Sequence, residues 1–133
     1  MRSPVRCVLL VAALFACTSR QTPPGGLAPA VTDRLYFGRN IGNTLGVTDS
    51  AWTVFVREVV GARLEGFTFW TAEGAWRGSD GRQVREPSFV LEVVHPEASA
   101  SADSAITAII AEYKRRFNQE SVLRVVTNAR ASF

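Results

Sequence analysis

The hydrophobic period of this chain alternates between two residues and about 3.6, and the order of those changes constrains its fold more than any single residue does. Residues 34–39 (RLYFGR) are short, aromatic and alternating, which is the pattern of a strand. Gly42, Asn43 and Gly46 place a loop over residues 40–47, and Thr48 or Asp49 then caps a helix. Trp52, Phe55, Val56 and Val59 recur at helical spacing as far as Gly61. From Gly66 the period returns to two: Phe67, Phe69 and Thr71 alternate with Thr68, Trp70 and Ala72, and the stretch runs less regularly to Trp76. Gly78-Ser79-Asp80-Gly81 is a turn that leads into a third strand over residues 84–94. Pro87 predicts an edge position or a bulge there, the apolar run 89–94 a buried central strand, and His95-Pro96 its end. Serines before residue 104 offer a cap. Ile106, Ile109, Ile110, Tyr113 and Phe117 then form one helical stripe, with Lys114, Arg115 and Arg116 in its last turn. Residues 121–127 (SVLRVVT) read as a last strand, with room to run to Phe133. The resulting order, β-α-β-β-α-β, predicts an α+β, ferredoxin-like sandwich: a four-stranded antiparallel sheet with two helices on one face.

The N-terminus carries a different kind of signal. Arg2 and Arg6 precede a short apolar run, Val8 to Ala16, that is too short to span a bilayer. Leu14-Phe15-Ala16-Cys17 resembles the lipobox of bacterial lipoproteins, although Phe15 is larger than the residue usual at that position. The resemblance implies removal of residues 1–16, lipidation of Cys17 and a lipid anchor in the cell envelope facing the periplasm. Thr18, where inner-membrane retention uses aspartate, points to the outer membrane; ordinary secretion after a nearby small residue is the alternative. Residues 17–32 then comprise the lipidated cysteine and a Pro-, Gly- and Thr-rich flexible linker, and residues 33–133 the single domain.

Processing changes what composition says. Of 133 residues, 133 − 16 = 117 remain, enough for one core. Loss of Arg2 and Arg6 takes the basic count from 15 to 13 against 12 acids, so the net charge falls from +3 to +1 and no nucleic-acid footprint survives. Cys7 is discarded and Cys17 carries lipid, so the domain has no disulfide, thiol nucleophile or thiolate metal site.

Three separated motifs carry a family resemblance. The strand Arg34-Leu35-Tyr36-Phe37-Gly38-Arg39 is followed by Trp76-Arg77-Gly78-Ser79-Asp80-Gly81-Arg82 with Arg85-Glu86-Pro87-Ser88, and then by Tyr113-Lys114-Arg115-Arg116-Phe117 with Gln119-Glu120-Ser121-Val122-Leu123-Arg124. Together they resemble a family of secreted bacterial proteins of unknown function, family 3574, over about residues 33–133. That family has no established activity, so the resemblance implies no catalytic residue.

Candidate ligand-binding residues come from two places. Arg77, Asp80, Arg82, Arg85 and Glu86 crowd the second hairpin, with Arg39 at the end of the first strand. Arginine forks there suit a carboxylate or phosphate, whereas a solvated hairpin tip needs charge merely to discourage edge pairing. Trp70 and Trp76 share parity on the second strand; exposed together with Tyr36 they form an aromatic platform, and buried they are core. Lys114, Arg115, Arg116, Glu120 and Ser121 at the last helix–strand junction read as dipole complement and turn. His95 is the only histidine; alone it makes a poor metal site, and catalysis at it requires an acid or nucleophile beside it in space.

The reading that results is an envelope lipoprotein without catalytic residues, metal or cofactor, binding a small anionic ligand or an envelope protein and able to pair with a second copy through the open sheet face. The alternatives are a small enzyme with its site on that face or at a dimer interface, and a structural envelope protein. A cleft lined by Arg39, Arg77, Glu86 or His95 favours the enzyme; a flat, packed or aromatic face favours binding or dimerisation.

Overall fold

The computed structural model describes residues 26–42, 44–77 and 79–132; the expected signal segment, Cys17 and the expected linker as far as residue 25 lie outside them. Its elements follow the expected order. They are β1 (Ala28–Gly38), the short β2 (Asn40–Ile41) and β3 (Thr44–Leu45), and α1 (Asp49–Phe55), which continues as a π-helical turn over Val56–Val60. Then come β4 (Thr68–Arg77), β5 (Gln83–Pro96), α2 (Ala100–Phe117) and β6 (Leu123–Ala131). The sheet order is β4-β5-β1-β6 with every pair antiparallel, the split βαβ arrangement. No helix among the described residues is long and apolar enough to cross a membrane.

The caps are where the sequence places them. Thr48 accepts from the Ala51 N–H at the start of α1, and Ser99 does the same for Ala102 at the start of α2. Asn118 ends α2 in a left-handed conformation (φ 48°), a role open to Asn because its short polar side chain tolerates positive φ. Both helices bury their stripes on one face of the sheet. Trp52, Phe55 and Val59 meet Ile106, Ile109 and Tyr113 above Leu35, Phe37, Phe89 and Leu91. The indole of Trp52 lies parallel to Phe89 with ring centroids 4.4 Å apart, and Phe37 meets Tyr113 edge-on at 4.6 Å.

Two boundaries differ from the expectation. Residues 28–32, read as linker, are strand: Ala28 to Thr32 pair with β6 from Ala131 to Thr127, and Ala30 to Thr32 also pair with β5. Local composition there favours coil, and two flanking strands override it. Likewise His95 and Pro96 belong to β5, opposite Val31 and Ala30. Pro87 divides β5. Residues Ser88 to Glu92 lie between β1 and β4, whereas residues 83–87 pair with β4 alone, so proline sits where the strand becomes an edge.

Candidate functional site

Alternation along β1 assigns its side chains to two environments. Val31, Asp33, Leu35 and Phe37 point to the helices and are buried; Thr32, Arg34, Tyr36 and Gly38 point to the open face. Each face carries one notable carboxylate, and each carboxylate adjoins a hollow.

On the helix side Asp33 is fully buried. One oxygen accepts from Arg124 Nε at 2.6 Å and the other faces His95 Nε2 at 2.8 Å. Arg124 also reaches Asp103 near the start of α2 at 2.8 Å, while His95 Nδ1 lies 2.9 Å from the Pro96 carbonyl. Both ring nitrogens of His95 thus face oxygens. Burial alone would raise the Asp33 carboxyl; the hydrogen bonds from Arg124 and His95 outweigh it and hold the group below its ordinary value. This network lines an open hollow of about 480 Å³ with Glu97 and Ser99. His95 has the acid neighbour that catalysis at a lone histidine needs, but the carboxylate and the carbonyl occupy both its nitrogens. Ser99, which lines the same hollow, is engaged as the helix cap. The described residues contain no metal-ligand cluster of three or more His, Cys, Asp or Glu.

On the open face Trp70, Trp76 and Tyr36 share one side of the sheet; Trp70 and Trp76 are 39% and 55% exposed, and Tyr36 is half-buried. All three rings therefore lie on the open side rather than within the core, with Trp70 and Trp76 six residues apart along β4. Arg34 crosses its centre, paired with Glu92 and lying 5.9 Å from the Trp70 ring. Beyond Tyr36 the face falls into a groove of about 950 Å³. Its walls are Tyr36, Trp76 and Leu123; Glu86 and Ser88 belong to its floor, and Asn40, Asn118 and Gln119 close its end. Gln119 is fixed by donating to the Asn40 carbonyl at 2.7 Å, and Tyr113 reaches up from the core to donate to Gly38 O at 2.8 Å.

The arginines expected to assemble an anion site do not meet in this groove. Arg39 turns to the helix side, where its guanidinium carbon lies 4.3 Å from the Phe89 ring centroid. It donates to Val47 O at 2.9 Å and pairs with Asp49 at 2.6 Å. Arg77 donates to Gly81 O across the hairpin at 2.8 Å, and Asp80 accepts from the Arg82 N–H at 3.0 Å, so both shape the turn. By register Arg85 and Arg77 lie on the side opposite to Trp76 and Glu86. Of the candidates, Trp70, Trp76 and Glu86 share the open face, and only Trp76 and Glu86 line the groove. The basic cluster after α2 divides as well: Arg115 and Arg116 clasp Glu112, whose carboxyl they hold down to about 2, chiefly through the Arg115 hydrogen bond, while Glu120 and Ser121 reach the groove.

Sequence reasoning missed Asp33 and Arg124. The signal available for Asp33 was its parity with Leu35 and Phe37, which puts a charge on the buried side of a strand. Arg124 and His95 lie 91 and 62 residues away from it in sequence, and no local pattern joins them.

A family described as "Protein of unknown function (DUF3574)" matches residues 32–133. No curated protein matches the sequence. Among solved structures, a phage SAM lyase in its apo state gives a TM-score of 0.58 at 20% identity over 86% of this chain and 97% of that one. A phage SAM lyase in complex with S-methyl-5'-thioadenosine gives 0.58 at 18% identity over 78% and 90%. A B. subtilis GlnK–ATP complex gives 0.45 at 10% identity over 76% and 82%. At these identities the lyase likeness shows a shared fold, the ferredoxin-like sandwich, and nothing about activity.

Proposed function

The chain belongs, over residues 32–133, to the DUF3574 family, which brings no activity with it, and we propose that it is an envelope-tethered, non-catalytic module that binds a small ligand in the open-face groove. The observation that carries this reading is the groove itself: two aromatic side chains, two carboxylates and three amide side chains line about 950 Å³, a volume suited to one small molecule. The lipobox-like Cys17 supports the anchor.

The charge of the lining revises the kind of ligand. Glu86 and Glu120 line the groove, and no Lys, Arg or His does so among the described residues, so a neutral or positively charged molecule suits it better than an anion. The test is a thermal-shift and calorimetric screen of the processed protein with saccharides, nucleosides and amines. S-methyl-5'-thioadenosine belongs in the panel because a phage SAM lyase of the same fold is seen in complex with it. Saturable binding that Trp76→Ala abolishes supports the reading; no binding across the panel removes it. Release of labelled lipid from Cys17 on mild hydrolysis, absent in Cys17→Ser, tests the anchor.

A second reading rests on a separate observation. Trp70, Val94, Leu123 and Val125 are exposed on the same face, an apolar strip that a second copy of this chain would cover. Sedimentation that shows a dimer in wild type and a monomer in Leu123→Glu supports it; a monomer at all concentrations removes it.

A further inference from the structure

The groove floor is bare on both sides of one carboxylate. Gly74 is the direct cross-strand partner of Glu86 on β4; on the other side Gly38 of β1 pairs with Ser88, one open-face step along β5. A Cβ at Gly38 would lie 2.6 Å from Glu86 Oε1, so only glycine lets the carboxylate rest against β1. A Cβ at Gly74 would meet nothing closer than the Glu86 carbonyl oxygen at 3.7 Å; that position is open room. Glu86 accepts one hydrogen bond from the described residues, from the Asn40 N–H to Oε1 at 3.3 Å, and Oε2 receives none.

Among the described residues no Lys, Arg or His pairs with this half-buried carboxylate. Arg39 lies under the sheet on Phe89 and is engaged by Asp49 and Val47, Arg85 projects from the opposite side of β5, and Arg34 is paired with Glu92. Partial burial leaves this carboxylate open to a counter-charge, and Trp76, one open-face step along β4 from its partner Gly74, carries a ring whose quadrupole attracts cations. Resting on the groove as the binding site, we infer that its ligand carries an organic ammonium group, held by Glu86 against Trp76. The amides of Asn40, Asn118 and Gln119 are placed to fix the uncharged remainder.

The charge requirement is tested with probes that differ in charge alone. Choline and its neutral isostere 3,3-dimethylbutan-1-ol are titrated into the processed full chain, followed by NMR shifts of the tryptophan indole N–H groups. Choline is expected to bind about tenfold more tightly than the isostere. Glu86→Gln, checked by thermal unfolding, is expected to erase that difference. Equal affinity for the two probes in wild type overturns the inference without recourse to any variant, as does undiminished choline preference in Glu86→Gln. If saccharides or nucleosides bind the groove and no ammonium probe does, the ammonium inference falls and the binding module stands; if nothing binds, both fall.

Discussion

Asp33 and Glu86 sit on adjacent strands of one sheet and face opposite ways, and their surroundings differ in every respect that matters. Asp33 is enclosed, with both oxygens occupied by Arg124 and His95, and through them it ties β1 to β5, to β6 and to the start of α2. Glu86 is half-exposed, holds one backbone N–H and looks into a groove without cations. A carboxylate whose capacity is filled within the protein contributes to stability; one left partly unfilled beside aromatic walls is available to something else.

The largest effect that separates the two is expected from Asp33→Asn. Removing the buried carboxylate leaves Arg124 with only the exposed Asp103 and takes the charged acceptor from His95, at a cost of about 3 kcal/mol, and the melting temperature should fall by more than about 10 °C. A loss below about 1 kcal/mol in urea unfolding would erase the contrast. Acid offers the same test without mutation. Because the folded state lowers the Asp33 carboxyl, its stabilisation is present above the ordinary carboxylate value and lost as pH falls through the lowered one. Wild type should therefore lose stability below about pH 4 more steeply than Asp33→Asn does, and parallel acid limbs would contradict this.

Tyr113→Phe should come next, at about 1 kcal/mol, because it removes the hydroxyl that satisfies Gly38 O beneath the groove. Burial pushes that phenol well above its ordinary value, so no spectroscopic tyrosinate from it should appear before alkaline unfolding. The smallest effect belongs to Glu86→Gln. Its stability should stay within about 0.5 kcal/mol of wild type, since no buried partner is orphaned. A Glu86 variant as unstable as Asp33→Asn would make Glu86 a second structural acid rather than a ligand site.

Much of the architecture was legible because its signals are local. Thr48, Ser99 and the stripe from Ile106 to Phe117 announce their helices through capping and period alone. The start of β1 was hidden for the opposite reason: Ala28-Pro29-Ala30 reads as linker until β6 and β5 arrive to pair with it. The site was legible only in part. Parity placed Trp70 and Trp76 together, and parity also carries Arg39 to the side of Phe37, away from the face where an anion site would need it. The groove itself draws on β1, β2, β4, β5 and the turn after α2, a convergence that no window of sequence contains.

The length of β1 has a consequence for how the molecule is presented. Chain preceding Ala28 joins the sheet at one end of the strand, and Gly38, beside the groove, lies at the other, roughly 30 Å away. Were Cys17 lipidated as proposed, a tether pulling at the first end would swing the groove outward, toward whatever diffuses past, and keep its mouth clear of the membrane.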